Sequence, residues 1–241
     1  MITERQLELL EAIIREYLTS STPVGSSIVV KKYHFPCSAA TIRNEMAKLL
    51  DEGFLDMMHT SSGRVPTPRA YRIFLEQLMD EHEFPVLQEV ALKQRLWPVR
   101  YDFNKMILQA VNGLADITNL MAIATTQDGF VYHAGVVNIL DHPEFWNIDT
   151  AKSALYLVEK HELLEKIFQK AAHSPREVKY LIGEELGNEN LTNVALVFAP
   201  YTAGKNSGYL AVLGPSRMDY ETVIPAAKFV KKLIEDLGES W

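Results

Sequence analysis

The chain has 241 residues, 47% of them hydrophobic and 23% charged, with a formal net charge of −7. Such a length fits a small domain beside a medium one, the composition reads as soluble and globular, and the acid surplus argues against indiscriminate nucleic-acid binding. No apolar run is long enough to cross a bilayer, the charged N-terminus MITERQLELL does not read as a signal peptide, and the single Cys37 suits a reducing cytoplasm.

Apolar Leu7, Leu10, Ile14 and Tyr17 recur every three or four positions, which predicts a helix over residues 3–20 with Thr3 as its N-cap. Pro23 and Gly25 break it. A short helix over Ser26–Tyr33 follows, then a third that begins behind Ser38 and turns Ile42, Met46, Leu49 and Leu50 inward before Gly53 stops it. Phe54–Met58 reads as a strand, HTSSG as a tight turn, and Arg64-Val65 as the start of the return strand. Pro68 opens a further helix that runs from about Arg69 to Glu81. Three helices and a hairpin in this order predict a winged helix-turn-helix over residues 1–80.

The segment DEHEFPVLQ predicts a linker at residues 81–88, with a second domain over 89–241. There Val90–Leu96 reads as helical up to Pro98, and Asp102–Asn119 as an amphipathic helix with Phe103, Met106, Ala110, Leu114 and Ile117 on one face. Met121–Thr126 and Phe130–Val137 read as strands joined by a turn at QDG. A helix over Thr150–Ala171, strands at Val178–Ile182, Val194–Ala199 and Gly208–Leu213, and a final helix over Tyr220–Leu237 complete the pattern. The expected class is α+β: an antiparallel sheet with helices packed on it.

Charge is unevenly spread. Between Ser26 and Arg72 seven bases face four acids, a local positive face that suits a selective reader of DNA. A major groove admits one helix, whose first turns reach base edges. On the third helix Ser38, Ala39, Ala40 and Thr41 form a small-residue leading end, and Arg43, Asn44, Ala47 and Lys48 continue the outward stripe. Arg43 suits guanine O6 and N7, and Asn44 suits adenine N6 and N7. On the hairpin, His59, Thr60, Ser61, Ser62 and Arg64 suit phosphate or minor-groove contact, and Arg69, Tyr71 and Arg72 suit backbone phosphate. Singly, each of these residues reads better as a solvated surface; the order of elements is what favours DNA.

The segments PVGS (Pro23–Ser26), SAATIRNEMAKLLDEGFL (Ser38–Leu55) and HTSSGRVPTPRAYR (His59–Arg72) closely resemble the heat-inducible transcription repressors of the HrcA type. NILDHPEF, LIGEE, LVFAPY and LGPSRMDYETVIP extend the likeness through the second half. The resemblance implies a homodimeric bacterial repressor that binds an inverted-repeat operator in double-stranded DNA upstream of chaperone genes, is released by heat, and is kept competent by the GroEL chaperonin. It also implies a GAF-like second domain, no cofactor and no enzymatic activity. Family members are about a hundred residues longer. The missing stretch falls where only QDGFVYHA stands here, and it takes away much of the inserted segment through which the family dimerises. Asp102–Asn119 or the last helix then become candidates for the dimer contact.

The residues leave two other readings open. A metabolite in the GAF-like domain could set DNA affinity, or the winged helix could bind protein instead of DNA. GPSRMDY reads as a strand-to-helix turn with Asp219 as N-cap, in preference to an anion site. His133, His142, His161 and His173 lack zinc-ligand spacing, and the acid pair in GEE has neither base nor nucleophile beside it, so neither metal nor catalytic residues are expected.

Overall fold

The computed structural model describes residues 2–57, 63–80, 82–171 and 175–238. The chain divides into two compact units, Met1–Asp80 and Glu81–Trp241.

In the first unit, α1 (Glu4–Ser20) starts on a reciprocal cap. The Thr3 hydroxyl accepts from the Gln6 amide at 3.3 Å, and the Gln6 side chain accepts from the Thr3 amide at 2.9 Å. Its inward face is Leu9, Leu10, Ile13 and Ile14, while Leu7 and Tyr17 lie half-buried at the margin. The inward stripe is therefore offset from the one the spacing predicts, because a stripe wider than one row satisfies either register. α2 (Ser26–Tyr33) buries Val29, and α3 (Ala39–Asp51) buries Ile42, Met46 and Leu49. Two short strands, β1 (Leu55–Asp56) and β2 (Val65–Pro66), pair antiparallel, Leu55 opposite Pro66 and Asp56 opposite Val65. α4 (Pro68–Ile73) is capped by Thr67 and runs on through a wider π-type turn at Phe74–Leu78. The helical run thus closes before Glu81, with the Met79 amide donating to the Phe74 carbonyl at 2.8 Å.

The second unit begins with α5 (Val86–Leu96), which starts inside the segment read as a linker. Pro85 supplies a rigid first step, and Phe84 stacks on Phe229 with centroids 4.9 Å apart, so this stretch packs on the unit. α6 (Phe103–Thr118) is capped by Asp102, whose carboxylate accepts from the Lys105 amide at 3.1 Å. Then come β3 (Met121–Thr125), β4 (Val131–Ala134), α7 (Val136–Leu140), α8 (Ile148–Glu159), α9 (His161–Lys170), β5 (Lys179–Ile182), β6 (Val194–Ala203), β7 (Asn206–Pro215) and α10 (Tyr220–Gly238).

The five strands form one antiparallel sheet in the order β4-β3-β7-β6-β5. Its two faces alternate along each strand, and both are buried along β3, β5 and most of β6 and β7, while β4 is half-buried to exposed. Met121, Ile123, Leu196, Phe198, Ala211 and Leu213 face a core closed by Ile139, Leu157, Leu164 and Phe168 from α7, α8 and α9. Ala122, Ala124, Ala195, Val197 and Val212 are equally buried, on the face against which α6 and α10 lie. The molecule is thus α+β, with helices on both sides of the sheet.

Two further elements differ from expectation. The strand over Phe130–Val137 ends at Ala134, because Gly135, at φ +73°, turns the chain into α7. The helix over Thr150–Ala171 is two helices, broken at Lys160, whose φ −120° and ψ 91° are extended. Beyond the break, the His161 ring reaches the Thr126 carbonyl at 3.2 Å.

Arg217 meets Glu144 through two contacts, Nε to Oε1 at 2.6 Å and Nη2 to Oε2 at 3.1 Å, with side chains only 11% and 15% exposed. Asp219 caps α10, accepting from the Thr222 amide at 3.3 Å and its hydroxyl at 2.7 Å. GPSRMDY is therefore a structural turn, its arginine already occupied. His142 lies against this pair, and burial followed by the nearby Arg217 charge pushes its imidazole below the usual histidine range.

Two outcomes are expected. Arg217→Ala leaves a shielded carboxylate without its partner and lowers unfolding free energy by about 3 kcal/mol in a denaturant titration. Because folded His142 gives up its proton more readily than the unfolded chain does, its contribution is complete above the unfolded histidine range and fades as pH falls through it. The urea midpoint should therefore drop between pH 7.5 and 5.5, and His142→Gln should flatten that slope.

Candidate nucleic-acid interface

The first turn of α3 is built by Ser38. Its hydroxyl accepts from the Thr41 amide at 3.1 Å and lies 2.9 Å from the Thr41 hydroxyl. Ser38 and Ala40 are exposed, Ala39 and Thr41 half-buried, and the first turn carries no acid. A helix start of this kind presents free backbone N–H groups and the positive end of the helix dipole.

Beyond the cap, inward Ile42, Met46 and Leu49 leave Arg43, Asn44, Ala47 and Lys48 exposed on the opposite side. Arg43 and Asn44 make no side-chain hydrogen bond among the described residues. Lys48 is less free. Its ammonium sits 2.9 Å from Glu45 Oε1, while Glu45 Oε2 accepts from Gln6 Nε2 at 3.2 Å. Hydrogen bonding to Lys48 draws the Glu45 carboxyl below its usual value, so at neutral pH Lys48 is partly neutralised within the molecule. The three-residue spacing of Glu45 and Lys48 was the available signal for this pair.

The hairpin is fastened to the turn before α2. The Val24 amide donates to the Arg64 carbonyl at 2.8 Å and the Arg64 amide to the Val24 carbonyl at 2.9 Å. Gly63 lies so close to this turn that an added Cβ would stand 2.5 Å from the Pro23 carbonyl carbon and oxygen. This contact couples Pro23 and Val24 with Gly63 and Arg64.

On the far side, Thr67 caps α4 and donates its hydroxyl to the Gly53 carbonyl at 2.8 Å. Arg69 donates from Nη1 to the Glu52 carbonyl at 2.7 Å and lies over the Phe54 ring, 4.3 Å from its centroid. Arg69 therefore ties α4 to the end of α3. Arg72 lies 3.4 Å from Glu76 on the same helical run.

Tyr71 corrects the sequence expectation. It is 1% exposed and fills the core with Phe74, so it offers no surface to a phosphate. The apolar spacing of Tyr71, Phe74 and Leu75 was the signal that it points inward. His59, Thr60, Ser61 and Ser62 lie outside the described residues. Among the described residues no group of three or more His, Cys, Asp or Glu could hold a metal ion, and no helix is long and apolar enough to cross a membrane.

Comparison with known proteins gives a consistent answer. The family model described as the HrcA protein C-terminal domain matches residues 69–224. The heat-inducible transcription repressor HrcA of Carboxydothermus hydrogenoformans is 25% identical over 338 aligned positions, spanning 98% of this chain and 98% of the relative. That of Oceanobacillus iheyensis is 25% identical over 345 positions, spanning 100% and 98%. Both alignments exceed the 241 residues here, so these relatives carry material with no counterpart in this chain. A crystal structure of a hypothetical protein, 18% identical and covering 100% of this chain and 99% of its own, superposes with a TM-score of 0.83 and shares the fold.

Gly63→Ala tests the fastening of the hairpin. The extra methyl must displace the Pro23–Val24 backbone, so the variant should lose about 1–3 kcal/mol of stability, seen as an earlier thermal transition.

Proposed function

This chain belongs to the HrcA family and is a heat-shock transcriptional repressor, and from that premise we propose how it reads and leaves DNA. Residues 1–80 are a winged helix-turn-helix, with α3 lying in the major groove and the β1–β2 hairpin acting as the wing. Arg43 and Asn44 read base edges, and Ser38, Ala39, Ala40 and Thr41 let the helix start approach closely. Lys48 exchanges Glu45 for a phosphate, and Arg64 and Arg72 add phosphate contacts with His59, Thr60, Ser61 and Ser62. Arg69 serves the protein first, as the bracket between α3 and α4.

The observation that carries this reading is the outward row of α3. Among the described residues Arg43 and Asn44 stand exposed with no side-chain hydrogen bond, on a helix that buries Ile42, Met46 and Leu49 on its other side. Polar residues on a merely solvated face need no such setting. Here they sit beside a capped helix start free of acids, in the stretch where bases outnumber acids.

The second unit, a GAF-like domain, holds two copies together, so that two readers meet the halves of an inverted repeat. Bound protein blocks the polymerase. Heat acts by loosening the second unit or the dimer before the first unit unfolds, as regions of unequal stability allow. The GroEL chaperonin then restores the released chain.

Fluorescence anisotropy on a two-fold symmetric chaperone-promoter site tests the reading. Arg43→Ala should weaken specific binding by about 1–3 kcal/mol and relax preference at one base position. Arg64→Ala should weaken binding to all sequences alike and flatten the salt dependence by about one unit. Unchanged affinity and base preference in Arg43→Ala would remove α3 from the groove.

A further inference from the structure

The connection between the two units is shorter than its composition suggests. The first unit closes at Met79, whose amide is bonded to the Phe74 carbonyl, and Asp80 is exposed. Phe84 is half-buried, and its ring stacks on Phe229 of α10 at 4.9 Å between centroids and 23° between planes. Lys93 of α5 stands 5.5 Å from the centre of the same Phe229 ring. An aromatic residue inside DEHEFP thus meets an aromatic on the last helix, and only residues 80–83 separate the two anchored points.

We propose that Phe84, clasped on Phe229, is a positioning residue for operator recognition: it limits the reach of each DNA-reading unit and so sets which half-site spacing the protein accepts. The proposal rests on the two-fold reading of DNA given above. A peptide spans at most about 3.3–3.6 Å per residue, and Pro85 stays anchored because its carbonyl accepts from the Gln88 and Glu89 amides of α5, so freeing Phe84 gives each protomer about 3.5 Å of additional reach. Duplex DNA advances about 3.4 Å per base pair, so that reach equals about one base pair on each side, or about two across the whole site. A closed clasp holds the readers to a narrow set of spacings, whereas an open one spreads the same effective concentration over more of them.

The test uses the full chain, and its Phe229 variants leave the connector sequence untouched. Phe229→Ala opens the clasp, Phe229→Tyr keeps an aromatic partner, and Phe84→Ala opens it from the other side. The first readout is cutting after Glu83 by a glutamate-specific protease, compared between wild type, Phe229→Ala and Phe229→Tyr. The second is affinity for two-fold sites whose spacer is shortened or lengthened by two base pairs. The wild type should lose about tenfold affinity on the altered spacers, while Phe229→Ala and Phe84→Ala lose about threefold or less. Phe229→Ala should also be cut several-fold faster, and Phe229→Tyr should behave as wild type in both assays. Equal cutting of wild type and Phe229→Ala overturns the clasp, whatever the DNA does. Faster cutting with an unchanged spacer profile, or a wild type indifferent to spacing, overturns the positioning role. A wild type that binds no two-fold site sinks the reading of function instead, and the cutting assay still decides whether the clasp closes.

Discussion

The first unit depends on two backbone hydrogen bonds between Val24 and Arg64. Strands as short as Leu55–Asp56 and Val65–Pro66 hold little by themselves, because an isolated hairpin is marginal in water. The Val24 bridge adds a third segment to this small ladder and fixes the hairpin against the turn between α1 and α2. Its geometry requires the chain to pass Pro23 without a side chain, which is why residue 63 is glycine. Thr67 and Arg69 brace the other side by bonding the carbonyls that end α3. Helix α3 is therefore held at its end by the hairpin's return path, and at its start by the Ser38 cap.

The second unit rests on a different constraint. Its sheet is covered on both faces, so its central strands have no polar side to show. This explains why β3 reads Met-Ala-Ile-Ala-Thr with every residue buried. Large residues fill the side facing α7, α8 and α9, and alanines dominate where α6 and α10 approach. Gly208 marks a tight crossing of backbones, since a Cβ there would stand 1.8 Å from the Thr125 carbonyl oxygen. That carbonyl instead accepts from the Tyr201 hydroxyl at 2.9 Å.

Much of this was legible in the chain. Thr3, Ser38, Asp102 and Asp219 announce helix starts because capping is a local act between residues three apart. The strands of the sheet were visible as short apolar runs between turn residues. What escaped was non-local. Phe84 sits among acids and a proline and reads as linker, because its partner lies 145 residues further on. Tyr71 keeps a polar tip that suggests a surface, yet its place on the inner side of α4 decides otherwise. Lys160 has no breaker chemistry of its own, yet its extended backbone splits α8 from α9 there. At the candidate interface, the types and spacing of Arg43 and Asn44 were readable, but the Gln6–Glu45 bond, which joins α1 to α3, was not.

The β3–β4 hairpin closes in a few residues. The Thr126 amide donates to the Phe130 carbonyl at 3.0 Å, and Gly129 takes φ +86° at the tip. β4 is also the outermost strand of the sheet. A tip on a border strand is where a polypeptide gains or sheds a module without disturbing its interior, because nothing beyond it needs re-registering. Length differences among kin can thus be absorbed at the rim, leaving the layered heart of the unit the same in short and long versions.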